Sequence, residues 1–226
     1  RTDMERETSA GEGALGPLSQ FYDLGGPVLL LLLIISIFTL ALVIYKILQY
    51  RGQKVGSRAD IEAAARQFKS GDRAAARKAL EASPHFLAPV FVMATTVVPG
   101  PESKALLEAE AELKLAPLES GFRILDNVAQ FSPLLGLLGT VIGMIAAFQA
   151  LQDAGAQVAP SALAGGIWVA LLTTAAGLAV TMPTGIALSW FEDRIDAERL
   201  SAEYVFAVVA NSAGDDLHGT YTAPTS

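Results

Sequence analysis

The sequence has no cysteine and little charge for its length. Without cysteine it has no disulfide, no thiol nucleophile and no cysteine-based zinc or iron–sulfur site. Only 17% of its 226 residues are charged, whereas a soluble domain carries about 25%. The sequence contains 16 Lys and Arg against 23 Asp and Glu, so its net charge is negative. The basic patch that a nucleic-acid surface needs is missing. Phosphate-loop, HExxH and GxSxG motifs are also missing. We therefore expect no enzyme, no cofactor and no nucleic-acid partner.

Long uncharged runs are what the sequence does have. Three of them hold most of the apolar residues, at 24–45, 128–152 and 154–191. A helix as long as the first run, 22 residues, rises about 33 Å and spans a hydrocarbon core of about 30 Å. The third run is longer than one span needs, so we expect a turn near Pro160. The fold class predicted is an all-α integral membrane protein with three transmembrane helices, at 25–48, 128–151 and 162–190.

A cleaved signal peptide is the alternative interpretation of the first run. Such a peptide has a positively charged start and an apolar stretch of about 7–15 residues. The charged residues ahead of the run are mainly acidic, and the run itself is longer than that stretch. We therefore expect a span that is retained.

Positive charge is concentrated between the first two spans. Residues 51–127 hold 11 of the 16 Lys and Arg, and short cytoplasmic segments are enriched in these residues. This segment is therefore expected in the cytoplasm, with the N-terminus outside. The division predicted is a periplasmic segment 1–24, a span 25–48, a cytoplasmic helical insert 49–127, a span 128–151, a periplasmic loop 152–161, a span 162–190, and a cytoplasmic helix with a polar tail 191–226.

The insert itself is predicted to be helical. Two alanine-rich, charged stretches, 60–68 and 72–81, are separated at Gly71 and predict a short helical hairpin. The apolar run 86–98 is too short to cross a membrane, so we expect it to be buried in protein or to lie at the interface. Helical spacing of apolar residues returns over 102–115.

The chain beyond the third span is predicted to be a helix followed by a polar tail, and neither histidine is predicted to bind a metal. Residues 192–209 have apolar residues at helical spacing, so the helix of the third span is expected to continue beyond the membrane. Residues 214–226 are polar and expected to be disordered. His85 and His218 lack neighbours at metal-ligand spacing, and we expect both to be ordinary surface residues.

The second and third spans each carry a stripe of small and hydroxyl residues. The stripe in the second span consists of Gly136, Thr140, Gly143 and Ala147. The stripe in the third consists of Ala170, Thr174, Gly177, Thr181 and Thr184. Gly139 and Gly143 also form a GxxxG pair, which lets another backbone approach closely. The predicted helix-packing residues are Gly136, Gly139, Gly143 and Gly177.

Two interpretations of the threonines remain open. They bond to carbonyls of their own helices while the glycines allow close packing, or the two stripes face a shared interior and line a polar path. Proton translocation ordinarily needs an ionisable group in the membrane. We expect none in the three spans, so the titrating group of such a path would come from another chain.

Two segments carry a family resemblance. The sequence PLLGLLGTVIGM at 133–144, followed by ALLTTAAGL at 170–178, resembles the MotA/TolQ/ExbB proton channel family, and most of all its ExbB/TolQ branch. The resemblance extends over about 102–200, and the three-span topology fits that branch, since MotA-type stators have four spans.

The resemblance implies a motor of the bacterial inner membrane that is driven by the proton gradient. Five copies would surround two single-span ExbD- or TolR-like subunits, whose helices carry the titrating aspartate, and the complex would energise a TonB- or TolA-like protein. A non-conducting membrane scaffold and a MotA-like motility stator are the alternatives.

The resemblance also assigns the path residues. Thr140 corresponds to the family's pore threonine in the second span and Thr174 to that in the third. Thr173 is adjacent and Thr181 lies further along the stripe, and both are included in the predicted path. The family usually has a glutamate five residues before the third-span threonine, where this chain has Val169. We therefore expect no proton route through a carboxylate at this position of the chain.

Overall fold

The computed structural model describes residues 4–56, 59–70, 72–98, 100–153 and 160–219. Side chains are described within 26–208, except at 57–60, 68–69, 71, 73, 99 and 154–162. Helices are the regular secondary structure found over these residues, which confirms the all-α class. They are α1 (Met4–Gly52), α2 (Ala59–Lys69), α3 (Arg73–Ala82), α4 (Ala88–Thr96), α5 (Pro101–Glu119), α6 (Phe122–Asp153) and α7 (Pro160–Gly219).

Three of the helices are long and apolar enough to cross a membrane, as predicted. The candidate spans are Gly26–Gly52, Phe122–Asp153 and Leu163–Val208. The first begins where α1 bends, because Gly26 has φ 66° and ψ −164°, a backbone conformation that is essentially restricted to glycine. Gly121 lies in the turn between α5 and α6 and also has a positive φ, 93°, which glycine adopts readily.

The chain forms two compact units. The span unit consists of Arg1–Val43 and Gly121–Leu188. The insert unit consists of Ile44–Ser120 and Ser189–Ser226. Since α1 and α7 are continuous through the boundaries at 43 and 188, each contributes residues to both units.

The insert unit has a hydrophobic core of its own. The hairpin predicted around Gly71 is confirmed as α2 and α3, and α3 begins at the N-cap Asp72, whose carboxylate accepts from the Ala75 N–H at 3.0 Å. The middle of the apolar run 86–98 forms α4, and its Phe91 is fully buried beside Phe206 of α7, with ring centroids 6.0 Å apart. Burying such a side chain is worth about 1.5–3 kcal/mol. One face of the short apolar run is therefore buried in protein, one of the two alternatives expected, while Val98 at its end is 84% exposed.

The C-terminal prediction requires a correction. Helix α7 continues to Gly219, so residues 214–219 are helical rather than disordered, and 220–226 lie outside the described residues. Polar composition argued for disorder, but a helix that is already formed adds one hydrogen bond for each further residue. This stretch also contains no proline to end it.

Candidate functional site

Helices α6 and α7 touch along a line of small residues, which we call the seam. It consists of Ser132, Gly136, Gly139, Gly143 and Ala147 on α6 and of Gly166, Ala170, Thr173, Thr174 and Gly177 on α7. A Cβ atom added at Gly177 would lie 2.6 Å from the Ser132 carbonyl oxygen, and one at Gly136 would lie 2.9 Å from the Thr173 carbonyl oxygen. Both distances are shorter than real Cβ contacts, so the backbones approach as closely as glycine allows.

The other two predicted packing glycines also lie in the seam. A Cβ at Gly139 would lie 2.6 Å from both Cβ and Oγ1 of Thr173, and one at Gly143 would lie 3.3 Å from the Cβ of Ala170. One more glycine, Gly166, faces Ala147 so closely that an added Cβ would overlap the alanine side chain. The structure thus brings together all four glycines of the prediction and adds Gly166.

The four predicted path threonines differ in their surroundings. Thr174 is partly buried, and its hydroxyl donates across the seam to the Gly136 carbonyl at 3.4 Å. Thr173 is fully buried against Gly139 and donates to the Ala170 carbonyl of its own helix at 2.8 Å. Thr140 and Thr181 are partly buried, and each donates to a carbonyl of its own helix. Thr140 donates to the Leu137 carbonyl at 2.7 Å, and Thr181 donates to the Gly177 carbonyl at 3.0 Å.

The four threonine hydroxyls can still form further hydrogen bonds. A hydroxyl has one O–H donor and two acceptor lone pairs, and its hydrogen can rotate to another partner. Each threonine can therefore accept from a protonated carboxyl group, and it can donate to a carboxylate by giving up its bond to a carbonyl. Thr173 is the least available of the four, since its side chain is 0% exposed.

The predicted path omitted several buried hydroxyls of the span unit. Ser132 is 1% exposed, and its Oγ has no hydrogen-bond partner among the described residues. Thr39 and Thr184 are also buried and line a cavity of about 140 Å³ together with Ser36 and Pro183. Spacing offered a signal, because Ser36 and Thr39 are three residues apart in the first span and Thr184 is on the third-span stripe.

The expectation that no span contains an ionisable group is wrong. Lys46 lies inside the candidate span Gly26–Gly52, and its side chain is only 2% exposed. The uncharged run in the sequence ends just before it, at Tyr45, whereas the helix continues. Its partners lie in the insert unit, where Nζ donates to the carbonyls of Pro117 and Leu118.

The expectation that His85 is a surface residue is also wrong. His85 is 3% exposed, and its Nε2 lies 3.1 Å from Oε2 of Glu198, which is fully buried. Its Nδ1 accepts from the Leu87 N–H at 3.2 Å, and Oε1 of Glu198 accepts from the Gly56 N–H at 2.7 Å. The pair joins residues far apart in sequence, so no local pattern indicated it. The side chain of His218 lies outside the described residues.

Metal binding has no support in the described part of the chain, where three or more His, Asp or Glu do not come together as a possible site. The insert unit instead has an ionic cluster around Arg199. Its guanidinium binds Glu112 through both oxygens, at 2.7 and 3.2 Å, and also binds Glu119 at 2.7 Å and Asp196 at 3.0 Å.

Arg199 affects the titration of Glu112. Its hydrogen bonds to that carboxylate hold the pKa of Glu112 below the ordinary glutamate value. A carboxyl whose folded pKa is lowered contributes stability above the ordinary pKa, and it loses that contribution as the pH falls through the lowered value. The contact between α5 and α7 is therefore weakened in acid.

Comparison with known proteins identifies relatives of the chain. The model of the MotA/TolQ/ExbB proton channel family matches residues 68–203. The chain is 47% identical over 64 residues to the biopolymer transport protein exbB1 of Vibrio cholerae, with 28% of each protein covered.

Two further relatives carry ExbB and TolQ names. Identity is 34% over 142 residues to an ExbB-like biopolymer transport protein of Synechocystis, covering 61% of this chain and 55% of the relative. It is 38% over 84 residues to the Tol-Pal system protein TolQ of Haemophilus influenzae, covering 37% and 36%. The matched part of the chain thus spans about half or less of the length of these three relatives.

Proposed function

The chain belongs to the MotA/TolQ/ExbB proton channel family, and from that premise we propose that it is an ExbB/TolQ-like motor subunit of the bacterial inner membrane. It uses the proton gradient together with a single-span ExbD- or TolR-like partner. The complex energises a TonB- or TolA-like protein that spans the periplasm, for import across the outer membrane or for envelope maintenance. The observation that carries the proposal is the seam, where the matched region has close-packed glycines beside threonine hydroxyls.

In the proposed mechanism the hydroxyls serve a carboxyl group of the partner. Thr174 and Thr140 accept from the carboxyl group when it is protonated and donate to it when it is ionised. Thr181 extends the same polar line along α7, and Thr173 supports Thr174 from within the seam. Since residue 169 is a valine, the proton passes without a carboxylate of this chain at that position.

The assembly we propose is a ring of five copies around two partner helices. The exposed faces of α6 and α7 are strongly apolar, and in water they would be unstable unless lipid or protein covered them. Their large exposed side chains include Leu134, Val141, Ile145, Leu171 and Met182. The N-terminus and the loop 152–161 lie in the periplasm, and the insert lies in the cytoplasm.

A non-conducting scaffold is the second candidate, and one observation favours it. All four threonine hydroxyls have carbonyl partners within the chain, as expected if they only support helix packing. In the motor the hydroxyl forms hydrogen bonds to the partner, whereas in the scaffold it only supports helix packing. Substitutions that remove the hydrogen-bonding group but keep its size therefore distinguish the two candidates.

The test is a pair of substitutions at Thr174. Thr174→Val keeps the shape but removes the donor and acceptor, which costs about 1–3 kcal/mol at a buried carboxylate and lowers activity about ten-fold or more. Thr174→Ser keeps the hydroxyl and should retain most activity. The measurement is gradient-dependent growth, on chelated iron or under envelope stress, with membrane abundance followed by immunoblot.

Thr39→Val is the matched control. Thr39 is also a buried threonine of a candidate span and donates to its own helix, at Ile35, but it lies outside the seam. It should leave activity near the wild-type level. Full activity of Thr174→Val at normal abundance would favour the scaffold.

A further inference from the structure

Lys46 is the buried cation of the first candidate span, and all its donors have acceptors. Its Nζ donates to Oε1 of Gln49 at 3.0 Å, to the Leu118 carbonyl at 3.0 Å and to the Pro117 carbonyl at 3.4 Å. An ammonium group has three N–H donors. Each N–H of the ammonium group thus has an acceptor within reach.

Two of these acceptors are at the C-terminal end of α5. That helix ends at Glu119, and the last four carbonyls of a helix have no N–H partner within it. The Ser120 N–H returns to the Ala116 carbonyl at 3.1 Å and satisfies one of them. Lys46 supplies donors to the next two carbonyls, and its positive charge interacts favourably with the negative end of the helix dipole.

Other side chains hold the same turn. From α1, Gln49 donates to the Pro117 carbonyl at 3.5 Å and Tyr50 donates to the Leu118 carbonyl at 3.4 Å. From α7, Arg199 donates to the carboxylate of Glu119 at 2.7 Å. The last turn of α5 is thus bound by a cation from each of the two long helices of the insert unit.

Burying an ammonium group is unfavourable unless it is well compensated. A helix end that only needed packing would be served by an apolar side chain at this position. The geometry instead uses a charge that both carbonyls share, and loss of the side chain leaves them only the longer bonds from Gln49 and Tyr50, at 3.5 and 3.4 Å. Weakened bonds to buried carbonyls are costly. This is a directional contact, which fixes the position of the turn as well as its burial.

We infer that Lys46 is a positioning residue that caps α5 and fixes its last turn to the end of α1, while Arg199 fixes the same turn to α7. The inference rests on the proposed function in one respect. A subunit that passes force to a partner must hold its own helices against the reaction force, so a loosened turn reduces activity without removing any path residue.

The structural test measures a distance between spin labels at two exposed positions of the insert unit, Arg51→Cys on α1 and Lys114→Cys on α5. No native cysteine has to be removed first. The full chain is measured in lipid nanodiscs by double electron–electron resonance, diluted with unlabelled protein so that distances within one chain dominate. Lys46→Met should broaden the distribution and shift it to longer distances, whereas Lys46→Arg should keep it near that of the unsubstituted chain.

Lys104→Met is the control, because Lys104 lies on α5, is exposed and pairs with Glu108 only at the surface. A Lys46→Met distribution that overlays the unsubstituted one overturns the inference, and so does a Lys46→Arg distribution as broad as that of Lys46→Met. If Lys46→Met does not reach the membrane, Lys46→Gln is measured against the same criterion.

Growth driven by the gradient is then compared in the same variants. Lys46→Met should lose about ten-fold at normal abundance, as expected for a lost charge-assisted hydrogen bond, and Lys46→Arg should recover most of it. Unchanged growth in Lys46→Met overturns the functional part of the inference. Failure of the wild-type chain to support such growth contradicts the proposed function instead, while the distance measurement still decides the cap.

Discussion

At the scale of single residues, charge buried in the insert unit distinguishes this chain from a simple bundle of apolar helices. The carboxylate of Glu198 is fully buried. It accepts a hydrogen bond from the Gly56 N–H and lies 3.1 Å from Nε2 of His85. Three separate parts of the chain therefore converge on one side chain. Because such a carboxylate is surrounded by groups that need it as an acceptor, its removal is costly.

Replacing this carboxylate should destabilise the protein. Glu198→Ala leaves the Gly56 N–H without its acceptor, at a cost of about 1–3 kcal/mol for a buried donor. Glu203→Ala, at an exposed position of the same helix, should have little effect. Thermal unfolding of the detergent-solubilised protein measures both, and equal midpoints for the two variants would contradict the role given to Glu198.

At the scale of helices, close contact along the seam depends on the absence of side chains. Gly177 and Gly136 lie where an added Cβ would meet backbone atoms, which cannot move aside as the end of a flexible side chain can. Gly185 is on the same helix, two turns further along, and has nothing within 4 Å of an added Cβ. The two positions form a matched pair.

Gly177→Ala should separate α6 from α7, whereas Gly185→Ala should be neutral or slightly stabilising. Overpacking costs about 1–3 kcal/mol, while alanine in an open helical position gains up to about 1 kcal/mol over glycine. The measurement is the unfolding midpoint together with the yield of assembled protein after size-exclusion chromatography. A Gly177→Ala protein as stable as the Gly185→Ala protein would show that the seam tolerates a methyl group.

How far the sequence predicts the fold also depends on the element. Uncharged length predicted the three long helices, and composition predicted the hairpin and a short apolar segment that does not cross the membrane, because these features depend on local sequence. Residues such as Lys46, His85 and Glu198 behave differently, since their burial depends on partners that are distant in sequence. For the same reason, the glycine spacing suggested a packing face but not that Thr173 would be enclosed against Gly139.

At the scale of the whole molecule, the orientation in the membrane remains a prediction from the distribution of Lys and Arg. Single cysteines at Gly13 and Ala154 should react with a membrane-impermeant maleimide in intact cells, and one at Ser70 should react only after lysis. Ala154 lies outside the described residues, and Ser70 is exposed at the end of α2. Labelling at Ser70 alone in intact cells would invert the orientation.

The central claim is that protons cross the membrane between the hydroxyls of this chain and a carboxylate of its partner. The most direct measurement is proton flux into liposomes that contain the purified complex of this chain with the proposed single-span partner, driven by a potassium diffusion potential. We expect flux for the wild-type complex, none when the partner's membrane aspartate is replaced by asparagine, and about a ten-fold reduction for Thr174→Val. Flux that persists without the partner's carboxylate, or that is absent from the intact wild-type complex, would contradict the account.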